Sequence, residues 1–175
     1  MATIALPSNL EAERSVLGSM LISPSAAEIG LDSLQPDDFS DADPRNRIIF
    51  TAMQELHAHH LPLDVQTLND QLINSKLDQQ AGGTPYLFQL LNTVISPEYI
   101  DTYIDMVHEQ SVLRQLLLAT NRIQEQYSKG VSNIGDFILQ SNDEITRIAQ
   151  KRSVQGMKSA REVALAGPGE IGNKI

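Results

Sequence analysis

The tightest constraint on this chain lies in residues 97–127. Ser96-Pro97 reads as a helix start, an N-cap residue followed by proline at the first helical position. No helix breaker then appears until Gly130, so the spacing predicts one helix from Pro97 to about Tyr127, roughly 46 Å at 1.5 Å per residue. Its first half has a single apolar stripe, Ile100, Ile104 and Val107. Its second half, "VLRQLLLATNRI", places Leu113, Leu116, Leu117, Leu118 and Ile123 on two faces at once. A helix apolar over most of its surface is buried over most of its surface. Whatever fold this chain adopts must therefore cover that segment from two sides.

One cover is close at hand. After the turn "SKGVSN" a second helix carries Ile134, Phe137, Ile138, Ser141, Ile145 and Ile148, a seam broken only by Ser141. This helix can take one face of the first. The other face is left for the upstream part of the chain or for a second copy. Full burial of a large aliphatic side chain is worth roughly 1.5–3 kcal/mol, so five such residues are too much to leave wet. A helical hairpin that cannot bury itself points to self-association.

Upstream, helix starts are clearly written. Ser8-Asn-Leu-Glu11 and Ser25-Ala-Ala-Glu28 are capping-box patterns. Asp43-Pro44 and Thr84-Pro85 repeat the N-cap and proline pairing, and Asp64 caps "VQTLNDQLI". The first helix, to about Leu21, carries Leu10, Val16, Leu17 and Met20, with Gly18 allowing close approach. In "PRNRIIFTAMQELHAHH", Ile49, Met53 and Leu56 share a face. No stretch alternates with the period of a strand. The fold class expected is all-α: a globular helical head over 1–95, a helical hairpin over 96–150, and a linker start over 151–175.

Composition narrows the function. Apolar residues make up 41% of 175, enough for a core, with no cysteine and no tryptophan. There is no disulfide framework and no thiolate metal site. Charged residues in the first turns argue against a signal peptide, and no apolar run reaches the roughly 20 residues of a membrane span. These features suggest a soluble intracellular protein. Net charge is −9, and residues 1–100 hold 4 Lys/Arg against 13 Asp/Glu while residues 101–175 hold 9 of each. An acidic half repels a phosphate backbone, which argues against direct duplex binding. Such a face is more often simply solvated, and it could also meet a basic protein partner.

No catalytic residue is assigned. His57, His59 and His60 form "HAHH", but i and i+2 do not share a helix face and no further ligand completes a tetrahedron. "PDDFSDAD" lacks the glycine and terminal glutamate of a calcium loop. The terminal Gly167-Pro-Gly-Glu-Ile-Gly172-Asn-Lys174 approaches the phosphate-binding pattern G-x-x-x-x-G-K-[ST]. An extra Asn173 displaces the lysine, and Ile175 stands where a hydroxyl should reach Mg²⁺. Neither a metal site nor a cofactor site is expected.

Four segments, in order, carry a resemblance. "LPSNLEAERSVLGSML", "DDFSDADPRNRIIFTAM", "LPLDVQTLNDQLINSKLDQQAGGTPYLFQLL" and "YIDMVHEQSVLRQLLLATNRI" resemble the N-terminal domain of DnaB-family replicative helicases, over about residues 5–150. The marks are E-A-E-x-x-V-L-G, P-x-D-x-x-T-L, G-G-x-x-Y-L and V-L-R. "KRSVQGMKSAREVAL" looks like the start of the linker toward the ATPase domain. Three departures stand out: Ser40 follows Phe39 where the family often has an aromatic, the loop to the next helix is about two residues longer than usual, and Asn46 stands where the family often has histidine.

The resemblance implies a non-catalytic oligomerisation and docking domain. Hairpins would pair two by two, and six copies would form a collar that receives primase and, in some systems, a helicase loader. The full-length protein would be an ATP-driven helicase of bacterial, phage or plasmid replication, acting in the cytoplasm. ATP and Mg²⁺ would belong to a motor beyond this chain. By carry-over, the hairpin interface is expected at Leu113, Leu116, Leu117, Ile123, Ile134, Phe137 and Ile138, some of which could instead form the seam inside the hairpin. The alternatives are a helical nucleic-acid-binding domain and a nucleotide enzyme using the terminal Gly/Lys stretch.

Overall fold

A computed structural model describes the backbone of residues 5–165 and the side chains of residues 5–150. The terminal "GPGEIGNK" stretch lies outside the described residues. The described chain is all-α, with no strand among its residues. Its helices are α1 (Leu10–Ile22), α2 (Pro24–Ser33), α3 (Pro44–Ala58), α4 (Val65–Asn74), α5 (Gly83–Thr93), α6 (Ile100–Ser128) and α7 (Ile134–Leu165). Short 3-10 turns, Pro36–Asp38 and Pro97–Tyr99, precede α3 and α6. The chain divides into two compact units, Met1–Leu118 and Ala119–Ile175.

Helix starts follow local chemistry, with informative shifts. Asp64 caps α4 as expected, its carboxylate accepting the Thr67 N–H at 2.9 Å. At α1 the cap is Asn9 rather than Ser8, with Oδ1 accepting the Ala12 N–H at 3.1 Å. At α2 the cap is Ser23 rather than Ser25. Pro24 then occupies the first helical position, where its missing N–H costs nothing, and this pairing prevails over the capping box downstream. α5 begins at Gly83 instead of after Thr84, because Gly82 adopts φ 86° and Gly83 φ 63° in the preceding turn. Thr84 lies inside the helix and its hydroxyl donates to Asn69 Oδ1. Ser96 and Pro97 open a 3-10 turn, so α6 proper starts at Ile100. Asp43 does precede α3, yet its side chain makes no cap.

The core of the first unit is built around α1. Val16, Leu17 and Met20 are fully buried with Ile49, Phe50, Met53 and Leu56 of α3 and Leu68 and Leu72 of α4. Leu87 and Leu90 of α5 join them, as do Ile100, Ile104 and Val107 from the first half of α6. The Phe39 and Phe50 rings meet at 4.9 Å between centroids. α1 packs closely on α5. Gly18 sits at that crossing, where an added Cβ would collide with the Leu90 carbonyl and the Val94 side chain.

The second unit contains the last turns of α6, the turn through Gly130 (φ 98°) and α7. Asn133 caps α7 through Oδ1, which accepts the N–H of Gly135 at 2.9 Å.

Candidate interaction surface

Within the second unit α7 carries two adjacent stripes where the sequence suggests one. Phe137, Ser141, Glu144 and Ile148 are half-buried. Their 4-3-4 spacing keeps them on one helix face. Glu144 pairs with Arg122 of α6, which fixes the register of the hairpin at that point. Ile134, Ile138 and Ile145 lie one position around the helix and are 71%, 61% and 45% exposed. Leu139 and Tyr127 are also exposed. A seam with 3-4 spacing can cover only a narrow face, so the neighbouring stripe stays in solvent.

The seven expected interface residues therefore fall into two groups. Ile134 and Ile138 are exposed, and Ile123 and Phe137 are half-buried. In the first unit, Leu113 and Leu116 are exposed at 48% and 40%, and Leu117 is half-buried. Exposed apolar side chains sharing one helix face, as Ile134 and Ile138 do, are what protein docking surfaces are made from.

The first unit also holds a buried polar network that sequence reasoning did not assemble, although most of its members sit in the quoted segments. Glu13, 2% exposed, accepts the Ser40 N–H at 2.9 Å and the Asn46 side-chain amide at 2.8 Å. The Tyr86 hydroxyl donates to Asn46 Oδ1 at 2.6 Å and lies 3.1 Å from Asp43 Oδ2. Asp43 is held by Arg45 through two bonds of 2.7 Å, and the Arg45 guanidinium stacks on the Tyr86 ring at 3.7 Å. The Arg45 hydrogen bond holds the Asp43 carboxyl below the usual carboxylate range. Burial, with Asp43 beside it, pushes the Tyr86 hydroxyl up to about 12. These demands explain why Asp43 does not cap α3.

A second part of the network ties α6 to the loop before α3. Asp38 Oδ2 accepts the Gln35 N–H and Oδ1 the Ser111 hydroxyl, each at 2.8 Å. The buried Arg114 donates to the carbonyls of Pro7 and Asp38 at 2.8 Å and of Asp37 at 3.3 Å. Desolvation lowers the Arg114 pKa from its ordinary value, against the pull of Glu13 and Asp38. The signal available in sequence was charge at otherwise apolar helix positions, as at Glu13 before "SVLGSML" and Arg114 within "VLRQLLL". Among the described residues no three His, Asp or Glu gather in a way that could hold a metal ion. No helix among them is long and apolar enough to cross a membrane.

Fold and surface together define the class: an all-α domain that presents apolar helix faces to solvent. The family model of the DnaB-like helicase N terminal domain matches residues 5–109, and the chain belongs to that family. The region matched is the N-terminal, non-motor domain of these helicases. The chain is 31% identical over 158 residues to the replicative DNA helicase DnaC of Bacillus subtilis, covering 90% of this chain and 34% of that protein. It is 32% identical over 148 residues to the replicative DNA helicase DnaB of Haemophilus influenzae, covering 84% and 31%. It thus spans about a third of the length of the curated relatives it matches. Among solved structures, the N-terminal domain of DnaB helicase from Mycobacterium tuberculosis superposes with a TM-score of 0.76 at 30% identity, covering 82% of this chain and 99% of that one. A DnaB-like replicative helicase described with its interactions with primase shares the fold, with a TM-score of 0.66 at 22% identity, covering 94% and 36%.

Proposed function

We propose that this chain is the oligomerisation and docking domain of a hexameric replicative DNA helicase. The observation that carries the reading is the exposed stripe Ile134, Ile138 and Ile145 of α7, which the hairpin's own seam does not reach. In this reading the stripe meets its counterpart on a second copy; Leu113 and Leu116 of the first unit are separate candidates for contact with that copy. Paired hairpins then build the collar of the hexamer. Residues 1–95 act as the head, 96–150 as the pairing element and 151–175 as the lead to a motor. The motor supplies ATP and Mg²⁺ chemistry, and this region takes neither. The collar receives primase and a helicase loader in the cytoplasm. The relative described with primase supports that partner. The net −9 of residues 1–100 speaks against DNA as a direct ligand.

The test is a pair of substitutions one position apart. Ile138→Asp places a charge on the exposed stripe, and the reading expects native far-UV helicity with a lower solution mass and weaker primase binding. Phe137→Asp buries a charge in the hairpin seam and should lower helicity and melting temperature. If Ile138→Asp leaves mass unchanged while the wild type is oligomeric, the stripe is not the pairing surface.

A further inference from the structure

Upstream of the proposed pairing residues, the line of α6 that bears Leu113 continues in the first unit through Met106 to Tyr99 of the preceding 3-10 turn. Tyr99 and Met106 are 54% and 41% exposed, and Ile95 just before them is the most exposed large apolar residue described, at 87%. Asp101, Asp105 and Glu109 are also exposed, spaced four apart. At about 100° per residue, Met106 lies on α6 between the core-facing Ile100, Ile104 and Val107 and this acidic row, with Tyr99 in the 3-10 turn just before the helix. None of the three acids makes an ion pair among the described residues. Asp101 lies in the first turn, where the helix dipole favours a carboxylate. Asp105 and Glu109 lie beyond it, and like charges four apart weaken a helix.

We infer that this face docks a basic amphipathic helix of a partner protein. An apolar stripe edged on one side by an unneutralised carboxylate row is complementary to a helix with apolar residues at i, i+3 or i+4, and i+7 and Lys/Arg along one flank. The apolar contact supplies affinity, and the acidic row supplies orientation and partner choice. The row also costs the isolated chain helix stability that a basic partner restores. The inference goes beyond the self-pairing reading and uses none of its residues.

The probe is a labelled helical peptide of about 18 residues with that apolar pattern and a Lys/Arg flank, titrated against the whole chain by fluorescence anisotropy. Its control carries Glu on the same flank. The basic peptide should bind one to one and the acidic control should not. Asp101→Asn, Asp105→Asn and Glu109→Gln combined should weaken binding by about tenfold, as should raising salt from about 50 to about 300 mM. Met106→Ser should weaken binding at unchanged helicity. Equal binding of both peptides, or unchanged affinity in the triple variant, overturns the inference. So does a Met106→Ser variant that loses solution mass while no peptide binds, because the occupant is then a second copy. Ile138→Asp should leave peptide affinity unchanged, which separates failure here from failure of the pairing surface.

Discussion

Asn46 shows what a single polar side chain does in this domain. It is fully buried, and both ends of its amide are used, the nitrogen on Glu13 and the oxygen on Tyr86. Removing it takes one partner from Glu13, which keeps the Ser40 N–H, and one from Tyr86, which keeps Asp43. A buried group that loses a hydrogen-bond partner costs about 1–3 kcal/mol, so Asn46→Ala should destabilise the first unit by about that amount, read as a fall in denaturation midpoint. In an Asn46→Ala, Tyr86→Phe double-mutant cycle the two losses should be less than additive, because they remove the same bond. Tyr86 also sets a pH window. Its folded pKa is raised from about 10 to about 12, so above pH 10 the unfolded chain loses a proton that the native state keeps. Stability contributed by Tyr86 is complete below pH 10 and is lost as pH rises toward 12. Asp43 works at the other end, since its lowered pKa gives stability present above its ordinary value and lost as pH falls through the folded one. Tyr86→Phe should flatten the alkaline limb and only weaken the acid limb, because Arg45 does most of the lowering of Asp43 and the Tyr86 hydroxyl a smaller part. The residues of this network were visible in the sequence as motif letters. Their pairing was not, because Glu13, Asn46 and Tyr86 are brought together by packing between α1, α3 and α5.

At the scale of elements, the sequence announced the helices and misplaced several of their first residues. Asp64 capped as read, since nothing competes for its carboxylate beyond the Thr67 it caps. Asp43 did not, because a buried tyrosine and a stacked arginine claim it. Gly18 was legible as a close approach, and α1 does meet α5 there. Gly18→Ala would push a methyl into the backbone of Leu90, and overpacking of this kind costs about 1–3 kcal/mol. Thermal unfolding should show that loss, while Gly130→Ala should cost stability through its positive φ alone, there being open space around it. Arg114 ties α6 to two loops through three carbonyls. Arg114→Met leaves those acceptors without their donor and should destabilise by about 3 kcal/mol or more. Hydrogen exchange should rise first at residues 35–39, where two of the carbonyls sit. In α7 the single expected seam proved to be two stripes. Phe137 and Ile138 are adjacent in sequence and 100° apart on a helix, which a reading of apolar spacing alone does not separate.

At the scale of the whole molecule, charge and apolar surface divide the work. Residues 1–100 carry the entire net charge of −9 and enclose most of the core. Ala119–Ile175 is a separate compact unit whose described large apolar side chains, among them Ile123, Ile134, Phe137 and Ile138, are half-buried or exposed. Ile134, Ile138 and Ile145 stand exposed on it, and this is the ground for proposing that the hairpin pairs with a second copy. The most direct test is solution mass of the unaltered chain by light scattering, across about a hundredfold range of concentration at moderate salt. A dimer or a higher even multimer that dissociates on dilution is the expected result. A strict monomer at every concentration would contradict it.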